Sequence, residues 1–199
     1  MSYNAFAEFY DGLTGNVEYK DRAEYIEKLI KSFGKEPGTT LDLACGTGSL
    51  TLELYRRGFD IFGVDASIDM LSEAQQKCSE DEQILFICQK MQRLNLASEI
   101  DTCICTLDSI NHLTNPKDVK ETFKRVAKYL SKDGLFIFDV NTLYKHREVL
   151  CDNCFVFDTD EVFCSWQNEL DKETDIVNIT LDFFIPDENG LYFRETEEF

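Results

Sequence analysis

Residues 41–48 read Leu-Asp-Leu-Ala-Cys-Gly-Thr-Gly, and this stretch decides the fold. It continues an apolar run over 39–44 that predicts a strand, and it runs into residues 49–58, whose apolar spacing predicts a helix. Gly46 and Gly48 carry no Cβ atom, so a ligand can approach the backbone and the N-terminus of that helix. A glycine-rich turn between a strand and a helix predicts an α/β fold with a nucleotide-binding turn.

The alternation of strands and helices continues to residue 140. Four more apolar runs predict strands, and the amphipathic stretches between them predict helices. Continuous apolar strands of this kind are typical of a parallel sheet with helices on both faces. The further strands are predicted at 59–64, 83–88, 101–107 and 135–140, and the helices at 20–33, 49–58, 68–78 and 116–131.

The last fifty residues have a different composition. Three runs of β-branched and aromatic residues alternate in polarity between turn residues, which predicts antiparallel strands. The formal net charge of the chain is −18, and residues 151–199 contribute −12 of it. We therefore predict two domains, residues 1–149 with an N-terminal helical lid and residues 150–199 as an acidic β insertion. The runs are 153–168, 175–185 and 191–196.

Charge and hydropathy exclude several classes of partner. A net charge of −18 repels phosphate backbones, so we expect no nucleic-acid partner. No apolar run approaches the ~20 residues that span a bilayer, and the first residues have no signal-peptide pattern, so we predict a cytoplasmic chain with no membrane partner. Cys151 and Cys154 have CxxC spacing, but neither a second CxxC pair nor a nearby pair of histidines completes a site, so no metal site is predicted.

Asp65 closes the second predicted strand, 19 residues after Gly46. In a doubly wound fold an acidic side chain at this point accepts hydrogen bonds from ribose hydroxyls. The ligand is not expected to be a dinucleotide, because Thr51 stands where that fingerprint has a third glycine or alanine. The Asp42 carboxylate would also repel a pyrophosphate, whereas it suits an ammonium or sulfonium cation. These residues favour S-adenosylmethionine over a nicotinamide cofactor.

These motifs together resemble the class I S-adenosylmethionine-dependent methyltransferases, in particular small bacterial members whose substrates are unidentified. The resemblance implies a Rossmann-like sheet that usually has seven strands. Five parallel strands are visible here, the last two are missing, and an antiparallel β insertion follows strand five. The matching segments are LDLACGTG (41–48), GVDAS (63–67), LDSINHL (107–113) and GLFIFDVNT (134–142).

The resemblance also implies a set of cofactor-binding residues. The backbone of residues 44–48 would pass under the methionine part, near Asp42, and Asp65 would hold the ribose. Ala66 and Met70 would flank the adenine, and Tyr10 and Tyr19 would close the site from the lid. The complete set is Tyr10, Tyr19, Asp42, Ala44, Gly46, Gly48, Asp65, Ala66, Met70, Lys90, Met91, Leu107 and Asp108.

The sequence departs from the family pattern in two places. The loop after strand three commonly reads Gln-Asp-Met, but here Lys90 stands in the middle and cannot accept a hydrogen bond from the adenine amino group. Gln89, Gln92 or a backbone carbonyl would have to replace it. Without the last two strands, residues 135–140 would form an open apolar edge, which folded proteins avoid. We therefore predict that the insertion or a second copy in a homodimer covers this edge.

The expected reaction is an in-line transfer of the methyl group, in which the protein positions the acceptor and, where required, removes a proton. Asp108 and His112, after strand four, are the candidate bases. The segment 108–111 lacks the Pro-Pro motif of amino-methylating DNA enzymes, so we expect a small-molecule substrate. Two alternatives stay open: a catalytically incomplete cofactor-binding module or fragment and, less favoured, a nicotinamide-dependent oxidoreductase.

Overall fold

A computed structural model of the chain describes residues 4–199, which divide into two compact units. Residues 15–140 form the first unit, and the second joins the chain up to Thr14 with residues 141–199. The predicted domains of 1–149 and 150–199 stay a prediction. No helix within residues 4–199 is long and apolar enough to cross a bilayer. The helices are α1 (Asn4–Leu13), α2 (Tyr19–Ser32), α3 (Ser49–Arg56), α4 (Ile68–Lys77) and α5 (Pro116–Tyr129).

The first unit is built on a five-stranded sheet in which all neighbouring strands are parallel. The strands lie in the order β3-β2-β1-β4-β5. This arrangement, together with a separate antiparallel sheet, confirms the predicted fold class. The strands are β1 (Thr39–Leu43), β2 (Asp60–Asp65), β3 (Phe86–Cys88), β4 (Ile100–Cys105) and β5 (Leu130–Phe138).

Apolar side chains cover both faces of this sheet. On β4, Cys103 and Cys105 pack into one buried cluster with α5, whereas Ile104 packs into another with α2 and α3. Alternate residues of one strand thus reach opposite cores, which is why the strand sequences read as continuous apolar runs. Burial on both sides also fixes the register, because a slip of one residue would exchange the two faces.

Capping side chains mark the beginning of α4 and α5. Ser67 Oγ accepts a hydrogen bond from Met70 N at 3.2 Å and caps α4, as predicted. Asn115 caps α5 through Lys117 N at 2.9 Å, and Pro116 occupies the first turn, where its missing N–H costs nothing.

Two strands of the parallel sheet differ from their predicted bounds by more than two residues. β3 is confined to Phe86–Cys88, because only these residues pair with β2. β5 begins at Leu130, before the predicted 135–140, because Leu130 already pairs with Ile100. The pairing then resumes at Leu135, so the Asp133-Gly134 turn lies inside the strand as an irregularity.

The outer edge of β5 has no strand partner among the described residues. Within residues 4–199, β5 pairs with β4 alone, and the strands of the insertion pair only with one another in a separate sheet. The insertion therefore does not extend the first sheet, and its predicted coverage of this edge stays a prediction. Phe138, the last residue of β5, is 42% exposed, and Val140, two residues beyond the strand, is 51% exposed. Coverage of the edge by a second copy stays a prediction.

The second unit contains an antiparallel sheet of four strands in sequential order. The run predicted over 153–168 is two strands, because the chain turns at 159–162. Phe9 of α1 packs beside Phe183, with ring centroids 6.2 Å apart, and Glu197 Oε1 accepts a hydrogen bond from Phe6 N at 2.9 Å. The strands are β6 (Cys154–Asp158), β7 (Phe163–Asp171), β8 (Ile176–Pro186) and β9 (Tyr192–Glu198), and a π-helical segment, Lys145–Leu150, precedes them.

A candidate cofactor site at the carboxyl edge of the parallel sheet

The strand order places a crevice between β1 and β4. The chain builds outward from β1 to β2 and β3, then returns to add β4 and β5 on the other side. The loops that follow β1 and β4 therefore leave in opposite directions. In doubly wound sheets, ligands bind at this reversal, outside the carboxyl ends of the strands.

The loop after β1 is held in an unusual backbone conformation. Ala44, Gly46 and Gly48 have φ angles of 60°, 54° and 71°, in the left-handed region. For Ala44 this conformation costs roughly 1–2 kcal/mol, because its Cβ atom crowds the carbonyl oxygen. Two hydrogen bonds to Val64 O hold the segment, from Ala44 N at 2.7 Å and from Cys45 N at 3.1 Å.

The two glycines of this loop have different roles. A Cβ atom built on Gly46 meets no atom within 4 Å, so this side of the turn faces open space that a ligand can enter. A Cβ atom on Gly48 would lie 2.8 Å from Ala74 Cβ and 3.2 Å from the Phe86 ring. Gly48 thus permits close packing of α3 against α4 and β3. The sequence attributes the missing Cβ atoms of both glycines to ligand access, and the geometry supports this for Gly46 only.

Asp65, at the end of β2, fastens two loops together. Its Oδ2 accepts a hydrogen bond from Gly46 N at 2.9 Å, and its Oδ1 accepts one from Ser67 N at 2.8 Å. A carboxylate offers about four acceptor positions, so each oxygen can accept a second hydrogen bond. Asp65 therefore fixes the glycine turn and retains the capacity to bind hydroxyls.

Asp42 lies beneath the same turn and is only 3% exposed. Thr51 Oγ1 donates a hydrogen bond to its Oδ2 at 2.5 Å. Burial raises the pKa of the carboxyl to about 6; the Thr51 hydrogen bond opposes the shift and the charge of Asp65 adds to it. In the sequence, Thr51 only counts against a dinucleotide, and its role as partner of Asp42 is visible only in the structure.

The loop after β4 is held by an aspartate that the sequence did not single out. Leu107 and Asp108 are consecutive residues in the left-handed region, with φ angles of 59° and 51°. The Asp139 carboxylate, just after β5, accepts hydrogen bonds from Leu107 N at 3.0 Å and Asp108 N at 2.7 Å. Asp139 directly follows an apolar strand, as Asp65 closes one. This shared pattern could have indicated Asp139 as a site residue from the sequence.

The loop after β3 carries the residues predicted for the adenine side. Lys90 is exposed, whereas Met91 is half-buried against the core. Gln89 already bonds to the backbone of Asn95, since its Oε1 accepts from Asn95 N at 2.8 Å and its Nε2 donates to Asn95 O at 3.2 Å. Its Oε1 has a second lone pair and can accept one further hydrogen bond. Gln89, Gln92 and the backbone carbonyls stay the predicted alternatives.

The other predicted residues are spread over both units. Ala66 is exposed, whereas Met70 is nearly buried. Tyr19 packs partly buried against the α2 and α3 core, and Tyr10 lies on α1 of the second unit. The roles of Tyr10 and Tyr19 in a lid stay predictions.

Three comparisons with known proteins identify the family. A methyltransferase domain model matches residues 40–134. The crystal structure of an S-adenosylmethionine-dependent methyltransferase from Clostridium acetobutylicum is 38% identical, with a TM-score of 0.85 over 98% of this chain and 79% of that chain. A Bacillus subtilis protein named "Putative methyltransferase YqeM" is 36% identical over 93% of this chain and 74% of its own length. The chain belongs to the class I S-adenosylmethionine-dependent methyltransferases.

This membership confirms S-adenosylmethionine as the predicted cofactor and decides against the nicotinamide-dependent oxidoreductase. A glycine/sarcosine N-methyltransferase from Aphanothece halophytica is a more distant relative, 30% identical over 67% of this chain and 51% of its own length. The geometry fits the methyltransferase cofactor: open space adjoins Gly46, Asp65 can accept further hydrogen bonds, and Asp42 supplies a buried carboxyl for a cationic ligand.

Proposed function

We propose that this methyltransferase acts on a small molecule by in-line methyl transfer. The observation that carries the proposal is the open side of Gly46, bordered by a turn that Asp65 fastens. When bound, the cofactor supplies a methyl group that its sulfonium already activates. The chain therefore has to bind, orient and exclude water rather than create the electrophile.

The residues around the crevice divide this work. The backbone of residues 44–48 would support the methionine part, and Asp65 would accept from the ribose hydroxyls. The Asp42 carboxylate is buried, and its Oδ2 already accepts a hydrogen bond from Thr51. Asp42 would therefore favour a cationic ligand through its negative charge. Leu107 and Asp108, at the end of β4, would face the acceptor.

The acceptor is proposed to be a small neutral or cationic amine. The charge of −18 repels polyanions. The Aphanothece halophytica relative is named for the N-methylation of glycine and sarcosine, which are two small amines. An ammonium acceptor must lose a proton before it attacks. Asp108, at the end of β4, and His112, exposed at the end of the 3-10 turn Ser109–His112, are the candidate bases.

Calorimetry with S-adenosylmethionine and S-adenosylhomocysteine tests the cofactor site. We expect saturable binding that Asp65→Ala abolishes, because the substitution removes the acceptor and releases the Gly46 turn. Asp60→Ala is the matched control, since this exposed aspartate lies at the opposite end of β2 and binds only the Thr39 hydroxyl among the hydrogen bonds described. Equal binding by the two variants would contradict the assigned site.

Radiolabelled methyl transfer to a panel of small amines, with DNA and protein as comparison acceptors, tests the substrate class. We expect label on amines and none on DNA. Binding without transfer to any acceptor would favour the alternative of a catalytically incomplete module.

We also propose a cytoplasmic location, because all eight cysteines are free thiols, and cell fractionation tests it.

A further inference from the structure

The Asp139 carboxylate joins three segments at the carboxyl edge of the sheet. It accepts backbone hydrogen bonds from Leu107 N at 3.0 Å and from Asp108 N at 2.7 Å, both in the loop after β4. Arg22 Nη1, in the first turn of α2, lies 3.3 Å from its Oδ2. The backbone N–H of Asp139 donates to Cys105 O at 3.3 Å, which ties its own segment to β4.

The loop after β4 depends on an acceptor of this kind. Leu107 and Asp108 both have positive φ angles, a conformation that ordinary side chains disfavour. Both N–H groups donate to the one carboxylate, and successive N–H groups of this kind form a concavity suited to an anion. Two charge-assisted hydrogen bonds therefore hold a backbone that would otherwise relax.

Arg22 extends this arrangement to α2. The Arg22 and Asp139 side chains are 36% and 40% exposed, so their ion pair adds little to stability. Its consequence is geometric, because Arg22 lies three residues after Tyr19, at the start of the same helix. One carboxylate thus relates the loop after β4 to the helix that carries a predicted lid tyrosine.

We infer that Asp139 is a positioning residue of the cofactor site. It acts through Leu107 and Asp108, whose backbone it fixes, and through Arg22. Asp65 holds the loop after β1 in the same manner, so one aspartate fastens the loop on each side of the crevice. The inference rests on cofactor binding in this site and is independent of the methyl acceptor.

The decisive variant is Asp139→Asn, which keeps the shape of the side chain but replaces one acceptor oxygen with an NH2 donor. Asp101→Asn is the matched control. The Asp101 carboxylate also joins two segments, because it accepts hydrogen bonds from Thr39 N at 3.0 Å and Ser131 Oγ at 2.8 Å, but it lies at the amino end of β4. We expect Asp139→Asn to weaken S-adenosylmethionine binding about ten- to hundredfold, as the loss of a charge-assisted hydrogen bond predicts. Asp101→Asn should leave the affinity within about twofold of wild type.

Hydrogen exchange of the Leu107 and Asp108 amides supplies a readout that needs no ligand. We expect faster exchange in Asp139→Asn and an unchanged rate in Asp101→Asn. Arg22→Gln leaves both backbone hydrogen bonds to Asp139 intact, so it should weaken the affinity less than Asp139→Asn does. If Asp139→Asn does not fold, Arg22→Gln serves as the test variant. An unchanged affinity in Arg22→Gln would then count against the inference. Unchanged affinity in a folded Asp139→Asn variant would overturn the inference, even if exchange were faster. Absence of binding by the wild-type chain would refute the cofactor site itself, and the exchange rates would still report whether Asp139 holds the loop.

Discussion

Asp42 shows at the scale of one residue how a binding site opposes stability. Its carboxyl is 3% exposed, and burial raises its pKa to about 6 in the folded chain. The unfolded chain therefore loses this proton at lower pH than the folded chain. The contribution of Asp42 to folding is most favourable below about pH 4 and becomes less favourable as the pH rises to about 6, with no further change above that pH.

Replacing Asp42 with asparagine should stabilise the fold at neutral pH. The amide oxygen can still accept from Thr51, while the buried charge is removed. We expect the free energy of unfolding at pH 8 to be higher for Asp42→Asn than for wild type, by on the order of 3 kcal/mol at most. This difference should shrink as the pH falls towards 4. Urea unfolding at several pH values measures this, with the exposed Asp60→Asn as the control for net charge.

The same variant should bind S-adenosylmethionine more weakly, because the negative charge that favours a cation is lost. A gain in stability with a loss of affinity is the expected signature of a residue retained for function. A stability difference that did not change with pH would contradict the assigned protonation of Asp42, and unchanged affinity would contradict its proposed role.

At the scale of elements, the sequence predicted a helix or strand closely where a local pattern alone determines it. The apolar periodicity of the helices predicted α4 and α5 closely, and the structure shows Ser67 and Asn115 as their N-caps. The extent of β3 and the irregularity of β5 depend on pairing with other strands, which the sequence of one strand does not contain. Asp65 was predictable because it closes a known pattern, whereas Asp139 acquires its role only when β5 lies beside β4.

The glycine turn between β1 and α3 allows a test of this distinction. Gly48→Ala would place a Cβ atom 2.8 Å from Ala74 and force a left-handed alanine, so we expect a loss of roughly 2–4 kcal/mol in unfolding free energy. Gly46→Ala meets no atom, so the cost should be close to the 1–2 kcal/mol of the backbone strain alone.

Calorimetry should show the opposite order for ligand binding. Gly46→Ala fills the open side of the turn and should reduce S-adenosylmethionine affinity more than Gly48→Ala does in the fraction that remains folded. Thermal unfolding and calorimetry on the same two samples make the comparison. A Gly46→Ala variant that bound the cofactor as wild type does would remove this side of the turn from the proposed site.

At the scale of the whole molecule, contacts between distant parts of the sequence account for what composition could not predict. Phe6 and Glu197 are 191 residues apart, yet their hydrogen bond joins α1 to the last strand. No local pattern around residue 6 indicates that partner. The acidic composition of 151–199 likewise does not reveal that Asp182 is 6% exposed and accepts from Arg194 Nη2 at 2.7 Å.

The free edge of β5 leads to a prediction about assembly. Its only strand partner within residues 4–199 is β4, and a second copy is one of the two predicted covers. We expect sedimentation to show a homodimer that Val140→Lys weakens at least about tenfold. Val140 lies two residues beyond the end of β5, where a lysine opposes pairing with a second strand. Val156→Lys is the control, since this valine is 58% exposed on β6, an edge strand of the other sheet, compared with 51% for Val140. A monomeric wild type would refute the prediction, and dissociation by Val156→Lys alone would place the interface on the second sheet.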